Sequence, residues 1–349
     1  MGVILAVCKD VGGTNALLPV MNLLKKNHQI RWIAQDNGRG RDVLNGLGQS
    51  FELYSSLNQV SKDGVVAVVS SMCSTAGQDL ARRFKGSCPV ITIQDLWTAG
   101  LYDVWTDPKY RSDYILVNDE LDKMFVLQAW LNFCADRVII TGYPALDKYA
   151  NFDIQSAKTK VKNLLSLVNN KPIILFAGQW WQTGHAITEL VHVLNELRQD
   201  VYLIARLHPA MKDNTPEEVP LWEQALAEFN SGTLVDSSSC GISDVIAVSD
   251  LVLSMYSTTL TEAAILRLPN IAILYPDHGL KVYIETAKSD NYPMVSLGCT
   301  AKAGNYEELR KLVHTALTSD LGLRSAQEKV FNLDGNNASR AAEFISSLI

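Results

Sequence analysis

Short apolar runs alternate with amphipathic stretches in the first half of the chain, in the order typical of a parallel sheet covered by helices. Six runs rich in branched residues predict buried strands, at 3–9, 30–34, 65–70, 90–93, 114–117 and 137–140. Helices are predicted between them at 16–26, 75–84 and 121–134. The pattern therefore predicts an α/β domain over residues 1–150.

The same alternation restarts after a polar, turn-rich segment, which we interpret as a linker at 151–170. It predicts strands at 173–176, 201–206, 233–235, 251–255 and 294–296, a strand ending at Leu274, and helices at 185–197, 221–229 and 306–318. A second domain is thus expected over 171–330. The last segment, 331–349, predicts a helix that could cross back onto the first domain. The fold class expected is α/β, with two tandem Rossmann-like domains whose parallel sheets face a central cleft.

Composition narrows the class of protein. A chain of 349 residues suits two domains, and 47% hydrophobic with 19% charged residues suits a soluble globular protein. The net charge of −6 argues against a protein that coats nucleic acid. Six cysteines without metal-ligand spacing indicate reduced thiols and no metal site. We expect a cytoplasmic protein without a signal peptide or spanning helix, and peripheral contact with the inner face of the membrane stays open.

The segment 249–274 carries the strongest chemical signal. It predicts a buried strand, a hydroxyl-rich turn, a helix and another buried strand. Ser257, Thr258 and Thr259 stand where the helix begins. Hydroxyls there cap a helix, and the N-terminus of a helix attracts anions. The turn therefore indicates either a cap alone or a site for a phosphate-bearing ligand.

A glycine-containing loop at 10–15 follows the first predicted strand. Gly12 and Gly13 would let the backbone approach a ligand, and Thr14 and Asn15 would stand before a helix N-terminus. The loop is neither a GxGxxG nor a Walker sequence, so it does not indicate binding of the phosphates of a dinucleotide or of ATP. No cofactor is expected. The alternative is a tight strand-to-helix turn.

Other polar groups follow predicted strands of the second domain. Gln179 and Trp180 lie in a loop whose amides and rings suit a sugar or a base, although one of its tryptophans could instead pack between the domains. His208 could donate a hydrogen bond to a phosphate. Glu262, one turn into the helix after the hydroxyls, could bind a ribose diol or form a salt bridge.

Three carboxylates follow strands of the first domain and could act as a general base. They are Asp10, Asp95 and Asp119. Asp119 could equally cap the helix that follows it. We expect the catalytic base, if there is one, to be Asp10 or Asp95.

Together with the tandem α/β units, these motifs resemble the GT-B superfamily, which contains nucleotide-sugar glycosyltransferases, UDP-N-acetylglucosamine 2-epimerases and UDP-sugar hydrolases. Four short sequences, Thr-Gly-Tyr-Pro at 141–144, Leu-His-Pro at 207–209, the hydroxyls at 257–259 and the tail at 333–340, look most like CDP-glycerol glycerophosphotransferases and bacterial sialyl- and polysialyltransferases. By this resemblance, His208 and residues 257–259 would hold the donor phosphate and Glu262 would lie near the nucleotide sugar. The Gly12–Gly13 loop would face the acceptor or the transferred group.

The chain departs from these relatives because no histidine lies between His28 and His185, where glycerophosphotransferases often carry a base. The histidine and acidic set of the 2-epimerases are not recognisable either. The resemblance implies a metal-independent glycosyltransferase of bacterial surface polysaccharide or glycoconjugate synthesis. Its partners would be a UDP- or CMP/CDP-linked donor and a carbohydrate or lipid-linked acceptor. A hydrolase or epimerase on the same fold, or a non-catalytic nucleotide-sugar-binding protein, remains the alternative.

Overall fold

A computed structural model describes residues 2–54, 60–72, 75–167, 170–179, 181–208, 211–331 and 333–349. The chain forms two compact units, each of which contains one parallel sheet. Unit 1 comprises Met1–Ala150 together with Asp334–Ile349, and unit 2 comprises Asn151–Leu333. None of the helices described has the length and apolar character that crossing a membrane requires.

The sheet of unit 1 has seven strands in the order β3-β2-β1-β4-β5-β6-β7. They are β1 (Val3–Cys8), β2 (Gln29–Gln35), β3 (Phe51–Tyr54), β4 (Val65–Ser71), β5 (Val90–Ile93), β6 (Tyr114–Val117) and β7 (Val138–Ile140). The α-helices of this unit are α1 (Val11–Leu24), α2 (Gly40–Gly46), α3 (Thr75–Phe84), α4 (Glu120–Ala129) and, from the end of the chain, α15 (Asn337–Ser347). From β1 the sheet continues through β2 to β3 on one side, and from β4 it continues through β5 and β6 to β7 on the other. The strand order therefore reverses between β1 and β4. Ligands of open parallel sheets bind beside such a reversal.

The sheet of unit 2 has six strands in the order β10-β9-β8-β11-β12-β13. They are β8 (Ile173–Ala177), β9 (Val201–Arg206), β10 (Gly232–Leu234), β11 (Leu251–Ser254), β12 (Asn270–Ile273) and β13 (Ala301–Ala303). Its helices are α5 (Ile154–Leu164), α6 (Gly184–Leu197), α7 (Met211–Asn214), α8 (Glu218–Ala227), α9 (Ile242–Val248), α10 (Thr258–Ile265), α11 (Gly279–Ala287), α12 (Pro293–Ser296), α13 (Tyr306–Thr318) and α14 (Arg324–Val330). Here the strand order reverses between β8 and β11.

Buried strands anchor both reversals. Every residue of β8 and of β11 is buried, and so are the last five residues of β1. The central strands are continuous apolar runs because helices cover both faces of a doubly wound sheet. The loops that follow these strands therefore start from rigid positions.

Four expectations from the sequence differ from the structure. Helix α1 begins at Val11, not at residue 16, because Asp10 caps it. Residues 294–296, expected as a strand, lie in the short helix α12, where Pro293 occupies the first turn, and the strand follows as β13. The expected linker contains α5 and belongs to unit 2. The edge strand β3 was not predicted, since its four residues are only partly buried or exposed.

Helix α15 is held on unit 1 by the segment that follows β7. The Asp147 carboxylate accepts hydrogen bonds from the backbone N–H groups of Asn337, at 3.1 Å, and Ala338, at 2.8 Å. The Arg340 side chain donates through Nε to the Thr141 carbonyl, at 3.0 Å. Gly142 has φ +81°, and a Cβ there would lie 2.0 Å from the Asn337 side chain. The Thr-Gly-Tyr-Pro sequence and the tail, both noted as family motifs, therefore fit against one another.

Candidate functional site

Asp10 lies directly beside the strand reversal of unit 1 and caps α1. Its Oδ1 accepts from the Gly13 backbone N–H at 2.7 Å, and its carbonyl accepts from Thr14 Oγ1 at 2.6 Å. Thr14 is fully buried. Its hydroxyl thus completes the first turn of the helix, whereas Asn15 is exposed on that turn.

The two glycines of this turn allow close packing. A Cβ on Gly13 would lie 2.4 Å from Cβ of Ser71, at the end of β4. A Cβ on Gly12 would lie 3.1 Å from Oδ2 of Asp95. The loop is a tight strand-to-helix turn, and it brings Asp10, Ser71 and Asp95 together.

Asp95 is a buried carboxyl group whose pKa is raised. It follows β5 and is 7% exposed, and its Oδ1 has no hydrogen-bond partner among the described residues. Burial first, and then the nearby Asp10 carboxylate, raise the pKa of Asp95 to about 8. A carboxyl group with such a pKa is a stronger base than an exposed one once it has lost its proton.

Asp119 serves as a cap, so the capping interpretation is confirmed. Its Oδ1 accepts from the Asp122 N–H at 2.9 Å and its Oδ2 accepts from Trp97 Nε1 at 2.7 Å. Asp122 is fully buried, accepts from the Asn118 N–H at 2.9 Å and also binds the Gln94 side chain. Burial raises the pKa of Asp122 well above its usual range.

Sequence reasoning missed a set of buried polar atoms at or after the ends of β4, β5 and β6. Their shared feature is the absence of a hydrogen-bond partner within the described residues. They are Ser71 Oγ, Gln94 Oε1, Thr98 Oγ1 and both side-chain polar atoms of Asn118. The available signal was their position, because Ser71 ends β4 while Gln94 and Asn118 directly follow β5 and β6.

In unit 2, the hydroxyl turn lies beside the strand reversal and begins α10 as predicted. Ser257 caps this helix, with Oγ 3.2 Å from the Thr259 N–H and 3.0 Å from Thr259 Oγ1. Tyr292 donates its hydroxyl hydrogen to the Ser257 carbonyl at 3.3 Å. Thr259 is buried, and Thr258 is exposed. Ser257 is therefore a helix cap, and Thr258 is the most exposed of the three hydroxyl residues.

His208 follows β9, which lies two strands away from β11 in the sheet. It is partly buried. The arginine that ends this strand is engaged elsewhere, since Arg206 Nη1 donates to the carbonyls of Ser237, at 3.2 Å, and Cys240, at 2.8 Å. The Arg206 carbonyl accepts from the Gly178 N–H at 2.8 Å. These contacts fix the ends of β8 and β9 side by side.

The loop after β8 is anchored by a carboxylate. Glu218 is 6% exposed and accepts from the N–H groups of Gln182, at 2.9 Å, and Gly184, at 2.8 Å. The N-terminus of α6 is thus neutralised within the protein and does not need an external anion. Gln179 is 8% exposed, and Trp180 lies outside the described residues. Trp181 packs on the core of unit 2.

Glu262 lies one turn into α10, where its Oε2 accepts from Ser243 Oγ on α9 at 3.3 Å. The ribose contact expected from the sequence stays a prediction. The hydrogen bond links the helices that precede and follow β11.

Sequence reasoning also missed a pair of histidines. The rings of His185 and His278 stack with centroids 4.3 Å apart and an interplanar angle of 11°. His185 is the second residue of α6, after β8, and His278 directly precedes α11, after β12. Their positions after predicted strands were the signal that could have identified them.

The sequence profile of the CDP-glycerol:poly(glycerophosphate) glycerophosphotransferase family matches residues 98–347. Two curated teichoic acid glycerol-phosphate primases are similar. That of Bacillus subtilis (strain 168) is 23% identical over 243 residues, 68% of this chain and 58% of the primase. That of Bacillus spizizenii is 26% identical over 222 residues, 57% of this chain and 54% of the primase. The match thus spans little more than half of each relative.

Solved structures show the same fold. The UDP-GlcNAc 2-epimerase of Neisseria meningitidis, bound to UDP-GlcNAc, has a TM-score of 0.70 at 16% identity, covering 99% of this chain and 100% of the other. MurG of Acinetobacter baumannii scores 0.63 at 13% identity, with 99% and 100% covered. The wall teichoic acid polymerase TagF, soaked with CDPG, scores 0.57 at 16% identity, with 98% and 87% covered. The α/β class with two Rossmann-like parallel sheets and the GT-B resemblance are confirmed.

Proposed function

The chain belongs to the CDP-glycerol:poly(glycerophosphate) glycerophosphotransferase family, and from this premise we propose that it transfers a glycerol-phosphate-type group from a nucleotide-activated donor to a hydroxyl of a surface-polymer precursor. Family membership bears out the predicted class, a glycosyltransferase-like enzyme of surface-polymer synthesis. The donor, the acceptor and the roles of individual residues are our proposal.

The observation that carries the proposal is the start of α10. It stands immediately after a fully buried strand, beside the strand reversal, inside the segment that matches the family. A helix N-terminus stabilises negative charge, and a departing nucleotide phosphate gains negative charge in the transition state. Exposed Thr258 and partly buried His208 would add hydrogen-bond donors there.

Unit 1 would supply the acceptor side. The acceptor hydroxyl oxygen would attack the phosphorus that carries glycerol, forming a new P–O bond. The P–O bond to the nucleotide would break and release the nucleoside monophosphate. Asp95 would take the hydroxyl proton, because its raised pKa makes its carboxylate a stronger base than an ordinary exposed one. A possible peripheral membrane contact of a lipid-linked acceptor belongs to the same proposal.

Donor binding can be measured by titration calorimetry with CDP-glycerol, UDP-GlcNAc and CMP-sialic acid. We expect CDP-glycerol to bind, and Ser257→Ala to weaken its binding about tenfold because the helix start loses its cap. Asp153→Ala is the matched control, since Asp153 caps α5 by accepting from the Ser156 N–H at 2.9 Å. Failure of the unaltered protein to bind CDP-glycerol would overturn the proposal, and equal loss in both variants would reduce Ser257 to a structural cap.

Turnover separates the transferase from the non-catalytic alternative. CMP release from CDP-glycerol should require an acceptor, tested with polyols, oligosaccharides and lipid-linked saccharides. Asp95→Asn should lower this rate at least ~100-fold while the Kd of CDP-glycerol stays the same. Release without any acceptor would indicate a hydrolase, and binding without release would indicate a binding protein.

A further inference from the structure

The loop that carries Asp95 is tied to the first turn of α4 at two points. Gln94, the first residue after β5, donates through Nε2 to the Trp97 carbonyl at 3.0 Å and to the Asp122 carboxylate. Trp97 donates through Nε1 to Asp119 Oδ2 at 2.7 Å. These bonds hold the residues on both sides of Asp95 against α4.

The first turn of α4 is itself fixed to the sheet. Asp119 Oδ1 accepts from the Asp122 N–H at 2.9 Å, and Asp122 Oδ2 accepts from the Asn118 N–H at 2.9 Å. Asn118 directly follows β6, the neighbour of β5 in the sheet. The Gln94 N–H donates to the Leu116 carbonyl of β6 at 2.9 Å. The loop after β5 is therefore anchored on two adjacent strands.

The burial of Asp122 points to a role beyond capping. Asp122 and Gln94 are both fully buried. A buried carboxyl group costs free energy that hydrogen bonds must offset, and a neutral side chain can satisfy a helix start at a lower cost. One oxygen of Asp122 accepts from a backbone N–H, and the other accepts from the amide of the residue immediately before Asp95.

Asp95 itself lies close to the start of α1. Its Oδ2 is 3.1 Å from the position that a Cβ on Gly12 would occupy, and its Oδ1 has no hydrogen-bond partner within the described part of the chain. The titratable groups that face it are Asp10 from α1 and Asp122 from α4, both of them acids. A small shift of the loop would therefore change the distance of Asp95 from Asp10 and its burial.

We infer that Asp122 is a positioning residue for the proposed transfer, which acts through Gln94 to hold Asp95 against the start of α1. The inference rests on the proposed function, because it takes Asp95 as the base. The same arrangement maintains the two conditions, burial and the nearby Asp10 carboxylate, that raise the pKa of Asp95 to about 8. Release of the loop should therefore lower the pKa of Asp95 towards the usual range of a carboxyl group.

Asp122→Asn tests this role. An asparagine side chain has an oxygen on only one side, so it cannot accept from both the Asn118 N–H and the Gln94 amide. We expect the kcat of CMP release from CDP-glycerol to fall about 10- to 100-fold, as misplaced catalytic groups do, while the Kd of CDP-glycerol stays the same. The rising limb of the pH profile should move to lower pH. A purely structural role would lower thermal stability without moving this limb.

The chain offers a matched control in unit 2. At the start of α13, Asn305 Oδ1 accepts from the Glu308 N–H at 2.9 Å, and Glu308 Oε2 accepts from the Gly304 N–H at 2.8 Å. This pattern is the same as that of residues 118–122. Glu308→Gln should therefore leave both kcat and the pH profile unchanged.

Gln94→Met is the second variant, because methionine keeps the length of the side chain and loses the amide. It should reproduce the effect of Asp122→Asn on the rate and on the pH profile. The double variant should be no slower than either single variant, since both residues act through one contact. Additive losses would overturn the inference.

A direct titration of Asp95 separates this inference from the proposed function. Nuclear magnetic resonance of protein labelled at the aspartate carboxyl carbon gives the pKa of Asp95 without turnover, and Asp95→Asn assigns the signal. An unchanged pKa of Asp95 in folded Asp122→Asn and Gln94→Met would overturn the inference and leave the proposed function standing. Failure of the unaltered protein to release CMP with any acceptor would contradict the proposed function, and with it the use of Asp95 as a base.

Discussion

Asp10 acts at the residue scale in two ways. Its carboxylate caps α1 through the Gly13 N–H, and its negative charge helps to raise the pKa of Asp95. Asparagine caps a helix about as well as aspartate does. The two roles can therefore be separated by one substitution.

Asp10→Asn should shift the pH dependence of kcat/KM. A base with a raised pKa acts only after it loses its proton, so activity in the unaltered protein should rise with pH up to about 8. Removing the neighbouring charge makes ionisation of Asp95 easier, and the rising limb should move to lower pH. Rates of CMP release between pH 5.5 and 9 measure this shift, with thermal unfolding as the check that the cap is retained. An unchanged limb would show that Asp95 is not the titrating base.

The sequence predicted where several candidate site residues lie, but not which contacts their side chains make. The order of strands and polar residues placed Asp10, Asp95, Ser257 and His208 at strand ends, where the structure has them. The same order did not reveal that Thr14 is turned inward or that Glu262 binds Ser243. Such contacts depend on which helix packs beside which strand, information that local patterns do not contain.

At the scale of elements, the start of α1 depends on contact with a neighbouring strand. Gly13 lies so close to β4 that a Cβ would come within 2.4 Å of Ser71. Strand β4 lies beside β1 in the sheet, although β2 and β3 stand between β1 and β4 in the sequence. The turn therefore makes a close packing contact that local sequence patterns could not reveal, and its contact with a ligand stays a prediction.

Gly13→Ala should destabilise the protein by about 1–3 kcal/mol, the usual cost of overpacking a tight contact. Gly46→Ala is the matched control, because a Cβ there meets no atom within 4 Å and alanine favours a helix by about 0.5–1 kcal/mol. Denaturant unfolding followed by circular dichroism gives both values. If Gly13→Ala were as stable as the control, the close approach of α1 to β4 would be in doubt.

The types of the helices and strands were easier to predict than their first and last residues. Helix α3 and strands β5 and β6 have the predicted bounds, because a clear amphipathic period identifies the helix and continuous apolar residues identify the two strands. Two other short elements, β3 and α12, were not predicted. Residues 294–296 contain too few positions to separate a strand from a helical turn, and their start at a proline decided for the helix.

At the scale of the whole molecule, unit 1 is completed by the end of the chain. Ala341 and Ile345 of α15 are fully buried, and Tyr114 of β6 packs against Phe344 with centroids 5.3 Å apart. Each unit has its own sheet. Stability can therefore differ between the two units, and damage to one need not unfold the other.

Deletion of residues 334–349 should lower the protection of unit 1 against hydrogen exchange and leave that of unit 2 largely intact. The reason is that the deletion exposes the apolar surface of unit 1 that α15 covers. Hydrogen exchange read by mass spectrometry resolves peptides from 2–150 and 151–333 separately. Equal loss of protection in both would contradict the assignment of the tail to unit 1 alone.

Unit 2 is one continuous stretch, whereas unit 1 joins the first 150 residues to the last sixteen. During synthesis, unit 2 can therefore fold as soon as it has left the ribosome. Unit 1 keeps an uncovered apolar surface until residues 334–349 have also been synthesised. A chain that is released early would keep a well-folded second half and a first half that chaperones and proteases recognise.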